Sequence, residues 1–429
     1  MKILQEALES ALEGIPHELL TQLVAKKLAA QGIKLSKRER ERLGKKIREG
    51  GADNFRLGGW NFWDRRKVHV EFTQEEIKEA ERRFTEFLNT QVPGLIRSTA
   101  EDLSTRVLID LKGKWAAESR RQKREFAGFT SRLYQRWGAG LEGLRMLLTI
   151  SRELGSTTNQ QVRSSSKSDR KNLVEVLTRS HARACQITEE IICLLSAGFA
   201  DGAMARWRSL HELAVVALFV GANGEELAER YVLHQAVESK RAATEYEKCC
   251  ERLGYEPIEP AELKALESSY AALTTRFGRD FTKPYGWAAY HLGIPNPTFA
   301  DIERKVGIDH LRAHYRMASH NVHAKPKGVF FKLGLLDESE ILLSGPSNAG
   351  LTDPGHSAAI SLIQGSTTLH EIFPALDTLV ALKMMLQLED EIGDSFGKAH
   401  SKLKADSSVN GKFPRDRRFE VTDAVWHQT

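Results

Sequence analysis

Along most of this chain apolar residues return every three or four positions, the spacing that keeps one face of an α-helix apolar. Two helices are predicted in the first fifty residues. One carries Ile3, Leu4, Ala7, Leu8, Ala11 and Leu12, and the other Leu19, Leu20, Leu23, Val24 and Leu28, with a break at Gly14–Pro16 between them. A capping box of Thr73 and Glu76 opens a helical pattern that lasts to about Leu154, interrupted at Pro93–Gly94. The segment 155–169, GSTTNQQVRSSSKSD, has one apolar side chain and reads as a linker. Beyond it come a helix over 170–196 and a break near Gly198–Gly202. The most apolar helix follows at 203–220, where LAVVALFV is apolar all round and therefore central. A charged helix over 225–253 precedes a Pro- and Gly-rich stretch of short helices, one capped by Thr298. The last core helix spans 355–396 and is bent at Pro374.

Two places alternate with period two instead. Trp60, Phe62, Trp63, Val68, Val70 and Phe72 predict a short β element, and 329–336 with 341–343 predict a hairpin around Asp337–Glu340. The fold class expected is mainly α, with a helical-bundle C-terminal domain, a basic and mostly helical N-terminal region, and small β-hairpin insertions. The boundaries are 1–154, a linker over 155–169, the bundle over 170–396 and a loose tail over 397–429.

The stretch that organises the chemistry is 309–323, DHLRAHYRMASHNVH. Leu311, Tyr315, Ala318 and Val322 make an apolar stripe, while Arg312, Arg316, Ser319, His320 and His323 gather on the other side. Arg316 and His323, seven positions apart, lie about 20° apart around an α-helix. Arginine grips phosphate with two parallel donors and histidine moves protons near neutral pH. Together they can activate a ribose hydroxyl and steady phosphorane charge without a metal, with His320 as a second acid–base group and Ser319 and Arg312 orienting phosphates. The same residues also suit a polar network lining a groove between helices, and Arg–His spacing alone separates the two poorly, because Arg206 with His211 and Arg304 with His310 share it. Arg208 and Glu212, one turn apart on the apolar helix, must bridge to each other or reach this polar face, since an unpartnered charge there would cost several kcal/mol.

Composition narrows the classes. A formal net charge of +5 is modest for 429 residues, so local clustering matters more than the total. Residues 34–48 hold eight Lys or Arg against two Glu, among them Lys37, Arg38 and Lys45. Residues 112–136 hold eight against two, including Arg120, Arg121, Lys123 and Arg124, interleaved with Trp115, Phe126, Phe129 and Tyr134. Such runs contact a nucleic-acid backbone or simply form a solvated helix face. Cys185, Cys193, Cys249 and Cys250 form no disulfide or zinc pattern, and His320 and His323 have no carboxylate beside them, so neither a metal nor another cofactor is expected. No phosphate-binding glycine loop, dinucleotide fingerprint or nucleophile elbow occurs. Acidic residues near the start and no apolar run of membrane-spanning length lead to the expectation of a soluble cytoplasmic protein.

The segments RSLHE (208–212) and YRMASHNVH (315–323) resemble a bacterial family, domain of unknown function 5677, in which an R-S-x-x-E helix precedes a Y-R-x-x-S-x-x-x-H helix. Arg208, Ser209, Glu212, Tyr315, Arg316, Ser319 and His323 are the matching positions, within about 170–395. More distantly the chain resembles the HEPN superfamily of helical bundles. That resemblance implies a homodimer, metal-independent RNA cleavage by Arg316 and His323 across a dimer cleft, and a setting in toxin action or phage defence. Met317 departs from the polar residue common after the HEPN arginine. A non-catalytic nucleic-acid-binding module, or a scaffold for a cognate protein partner, are the alternatives.

Overall fold

The structure, a computed structural model, describes residues 2–49, 70–164, 169–336 and 342–410. The chain divides into two compact units, Met1–Arg121 and Gln122–Thr429. In the first, α1 (Lys2–Ala30), α2 (Lys37–Arg48) and α3 (Gln74–Thr90) precede the start of α4 (Val92–Ser164). Helix α1 runs through Pro16, so the break expected at Gly14–Pro16 does not occur. Leu43 and Ile47 of α2 pack with Leu28 and Leu35, which leaves Lys37, Arg38 and Lys45 exposed on the other side. Ser36 caps α2, its backbone N–H donating to Glu39 at 2.8 Å. Thr73 and Glu76 form the expected box on α3, and Lys27 reaches Glu76 at 2.6 Å to tie α1 to α3.

The second unit is a helical bundle. Its long members are the remainder of α4, α5 (Lys171–Ser196), α6 (Ala200–Leu233), α14 (Thr352–Thr367) and α16 (Leu376–Asn410). Between them run α7 (Gln235–Glu247), α8 (Cys250–Leu253), α9 (Pro260–Phe277), α10 (Gly286–Leu292), α11 (Phe299–Lys305), α12 (Arg312–Val322) and α13 (Pro326–Phe330), with α15 (Leu369–Ile372) after α14. Helix α6 is central, as its composition requires. Trp207, fully buried, donates its indole N–H to the Ser357 carbonyl at 2.9 Å and to Ser361 at 3.0 Å, which locks α6 to α14. Trp137 of α4 does the same to Asn348 at 2.9 Å.

Further expectations change, and the interruption expected at Pro93–Gly94 is absent because α4 starts at Val92 and runs through both residues. Among the described residues there is no strand: Val329 and Phe330 end helix α13, and 331–336 are irregular. Pro326 at the first turn lacks a donor that the turn does not need, so it starts a helix where alternation had suggested a hairpin. The β element expected around Trp60 to Val68 and the turn at Asp337–Glu340 fall outside the described residues. The linker is helical as far as Ser164, because Gly155, Thr158 and Val162 keep helical spacing on its inward side, with Val162 packed on the core. Pro374 separates α15 from α16 rather than bending one helix, and α16 carries the chain well past 396, into the stretch expected to be a tail.

At the α4–α5 contact Gly155 lies so close to His181 that an added Cβ would stand 2.4 Å from the imidazole. His181 is buried, hydrogen-bonded to Ser151 at 3.0 Å, and burial holds its pKa down to about 4. The unfolded imidazole, near 6.5, binds the extra proton between those values, so His181 favours the folded state above pH 6.5 and loses that contribution as pH falls toward 4. Urea unfolding should show wild type losing about 2 kcal/mol more than His181→Gln between pH 7 and pH 5. Equal losses would show that this imidazole does not set the acid sensitivity.

Candidate functional site

Helix α12 is the organising helix of the sequence reading, with Tyr315 and Ala318 buried and Arg316 exposed. It begins after a 3-10 turn at Asp309–Leu311 and ends at Val322, so His323 is its C-cap residue, with its backbone N–H on the Ser319 carbonyl at 3.2 Å. Ala324 then takes a positive φ of 46°, which turns the chain sharply after the imidazole.

Arg208 of α6 brings the site together. Its Nε donates to Glu212 at 3.1 Å, one Nη to the Tyr315 hydroxyl at 2.9 Å, and the other to His323 Nε2 at 3.0 Å. The guanidinium lies 4.8 Å from the Tyr315 ring centre, and the Tyr315 hydroxyl donates in turn to Glu212 at 2.5 Å. Because a guanidinium only donates, His323 must accept through Nε2 and carry its proton on Nδ1. Burial, reinforced by the Glu212 carboxylate, pushes the Tyr315 hydroxyl well above the usual phenol range, so it stays protonated as a donor. The His323 ring is exposed, while the Arg208 and Glu212 side chains keep 21% and 35% of their surface, so the cluster is open along one edge.

Behind it lies a second layer that spacing did not reveal. Glu303 of α11 is fully buried, accepting from Arg312 at 2.5 Å and bonded to His211 at 2.8 Å. Arg312 also lies 5.4 Å from the Tyr315 ring centre, so Tyr315 is flanked by two guanidiniums. Burial lowers the His211 pKa despite its carboxylate partner, which keeps the ring neutral. Tyr285, raised chiefly by burial and then by Glu212, belongs to the same surroundings. The adjacency of His211 to Glu212 was the available signal for this layer; Glu303, in the Pro- and Gly-rich stretch, gave none.

The remaining expected residues separate. Arg316 is exposed with no hydrogen-bond or ion-pair partner among the described residues. The guanidinium that touches His323 is thus that of Arg208. His320 is half-buried with its Nδ1 sealed without a partner, and the residue lines, with Met204, Met317 and Phe331, a cavity of about 10 Å³, room for no more than one water. Ser319 turns back to the Tyr315 carbonyl at 2.8 Å. Arg120, Arg121, Lys123 and Arg124 are exposed on α4, with Arg121 bonded to Glu118 at 2.7 Å. Among the described residues no cluster of His, Cys, Asp or Glu could hold a metal, and no helix is long and apolar enough to cross a membrane.

Replacing Glu303 by Ala should lower stability by about 2–4 kcal/mol, because it strips His211 of its partner and leaves Arg312 unbalanced at the rim of the core. A thermal or urea midpoint checks this, and a change under 0.5 kcal/mol would mean the layer is not holding α11 to α6.

Residues 174–340 match the model of a family of unknown function (DUF5677), a span that contains Arg208, Ser209, Glu212, Tyr315, Arg316, Ser319 and His323. Neither a curated protein nor a solved structure matches the chain. What can be concluded of its kinship is that this part of the bundle, from α5 to just past α13, is similar to that family of unknown function.

Proposed function

We propose that the second unit is a metal-independent, RNA-cleaving bundle of HEPN type, acting in defence or growth arrest and working as a homodimer. The observation that carries this reading is the Arg208–His323 contact at 3.0 Å with the imidazole edge open to solvent. A phosphodiester arriving at that edge would take over the Arg208 fork, which frees Nε2 of His323 to accept the ribose 2′-hydroxyl proton. The hydroxyl oxygen then attacks phosphorus, and the 5′-oxygen leaves with a proton returned by an imidazolium. Arg208 offsets the added charge on the phosphorane, with the exposed Arg316 of α12 adding longer-range attraction for the polyanion, while Tyr315 and Glu212 hold Arg208 at the correct angle. His320, turned beneath α13, supports the helix end in this scheme and does not exchange protons with substrate.

A second reading has its own support. All three nitrogens of Arg208 already have partners, as in a structural network, and the exposed basic side of α2 could hold a polyanion without turning it over.

Cleavage of a mixed RNA pool in EDTA separates the two. Wild type should cut, and His323→Ala and Arg208→Ala should each lower the rate by about 10²–10⁴. Binding without cleavage by wild type would select the non-catalytic reading, and equal cutting by His323→Ala would remove the role proposed for His323.

A further inference from the structure

We propose that the ledge formed by α13, directly after His323, is a base-stacking platform that seats unpaired RNA beside the site. The inference rests on the RNA reading above and adds to it the strandedness of the substrate and the residues that select it.

The charge pattern is one-sided. From His310 to Leu336 the chain carries five Lys or Arg and no Asp or Glu. Glu303 takes Arg312, while Arg316, Lys325, Lys327 and Lys332 have no ion-pair partner among the described residues. One carboxylate reaches this segment, that of Asp201, which accepts from the Leu333 N–H at 3.1 Å and from Asn321 at 3.4 Å, so the four cations within seventeen positions outnumber it and attract a polyanion.

The apolar pattern on the same surface is equally specific. Phe330 is 86% exposed, and its chain neighbours Val329 and Phe331 are about half exposed. Water disfavours an open ring of that size, and a loose loop would fold it inward. Here it cannot turn inward freely, because the ledge is fixed. Gly328 lies against the α12 backbone so closely that an added Cβ would be 2.2 Å from the His320 carbonyl oxygen. Lys332 clamps the far end through the Gly328 carbonyl at 2.7 Å, and Phe331 closes the small cavity over Met317 and His320. Phe330 is therefore mounted on a rigid base, flanked by Lys325 and Lys327, only seven residues from His323. A single-stranded binding site needs this combination of a flat π-face with cations that follow the backbone. A paired helix keeps its bases stacked inside and offers Phe330 nothing to stack on.

The test uses the full-length chain in a His323→Ala background, so that RNA stays intact, and reads fluorescence polarisation with labelled U20 and with a 20-base-pair RNA duplex. Phe330→Ala should weaken U20 binding by about 5- to 100-fold and leave duplex binding unchanged, while Phe330→Trp keeps U20 affinity. Lys325→Gln with Lys327→Gln should reduce the slope of log affinity against log salt by about 1.4. Unchanged U20 affinity in Phe330→Ala overturns the proposal. So does a Phe330→Ala protein that keeps its affinity but changes mass in sedimentation, since the ledge would then face protein. RNA cutting by wild type alongside an unaffected Phe330→Ala would sink the ledge and spare the proposed activity. No binding or cutting by wild type would remove both.

Discussion

One guanidinium sets the terms for this bundle. Helix α6 is apolar through its middle and runs through the core, yet it carries Arg208 near its first turns. A charge there is tolerated only if its donors find acceptors, because the alternative is a desolvated cation without compensation. Glu212 supplies one acceptor from the same helix. The other two come from α12, which must therefore lie across α6 with Tyr315 inward and His323 at its end. The orientation of α12 and the tautomer of His323 follow from satisfying that single fork, while burial and Glu212 keep Tyr315 protonated against the pull of the guanidinium.

The second layer stiffens the first. Glu303 bonds His211 of α6 and Arg312 of α12, so α11 is held at the junction of the two helices that carry the site. Tyr315, with a guanidinium on either side, transmits this rigidity to the Arg208–His323 contact. The result is a stiff polar seam with one open edge. Basic residues accumulate in the segment beyond that edge, which itself carries no acid, in a chain whose overall excess is only five charges.

Much of this was legible from residue order. The stripe through Leu311, Tyr315 and Ala318 marks the buried side of α12, and the isolated Arg208–Glu212 pair on an apolar helix demands a partner of its kind. What misled was local chemistry that tertiary contacts override. Residues 155–164 look like a linker because their inward positions are Gly155, Thr158 and Val162, but Gly155 is small in order to admit the His181 ring. The run VFFKLGLL alternates like a strand, yet Pro326 starts a helical turn and Gly328 docks it against His320. Periodicity cannot show that a helix ends one residue before His323 or that a short helix folds back over His320. Both depend on the positive φ at Ala324 and on close backbone approach.

The most direct test of the central claim is a double-mutant cycle on unfolding free energy, combining Arg208→Ala with Tyr315→Phe. If the guanidinium is what joins α6 to α12, the two changes should couple by about 1 kcal/mol or more, within the range seen for residues in one network. Effects that add to within about 0.3–0.5 kcal/mol would show that the Arg208–Tyr315 bond does not hold α12 to α6, and that Arg208 is a passenger.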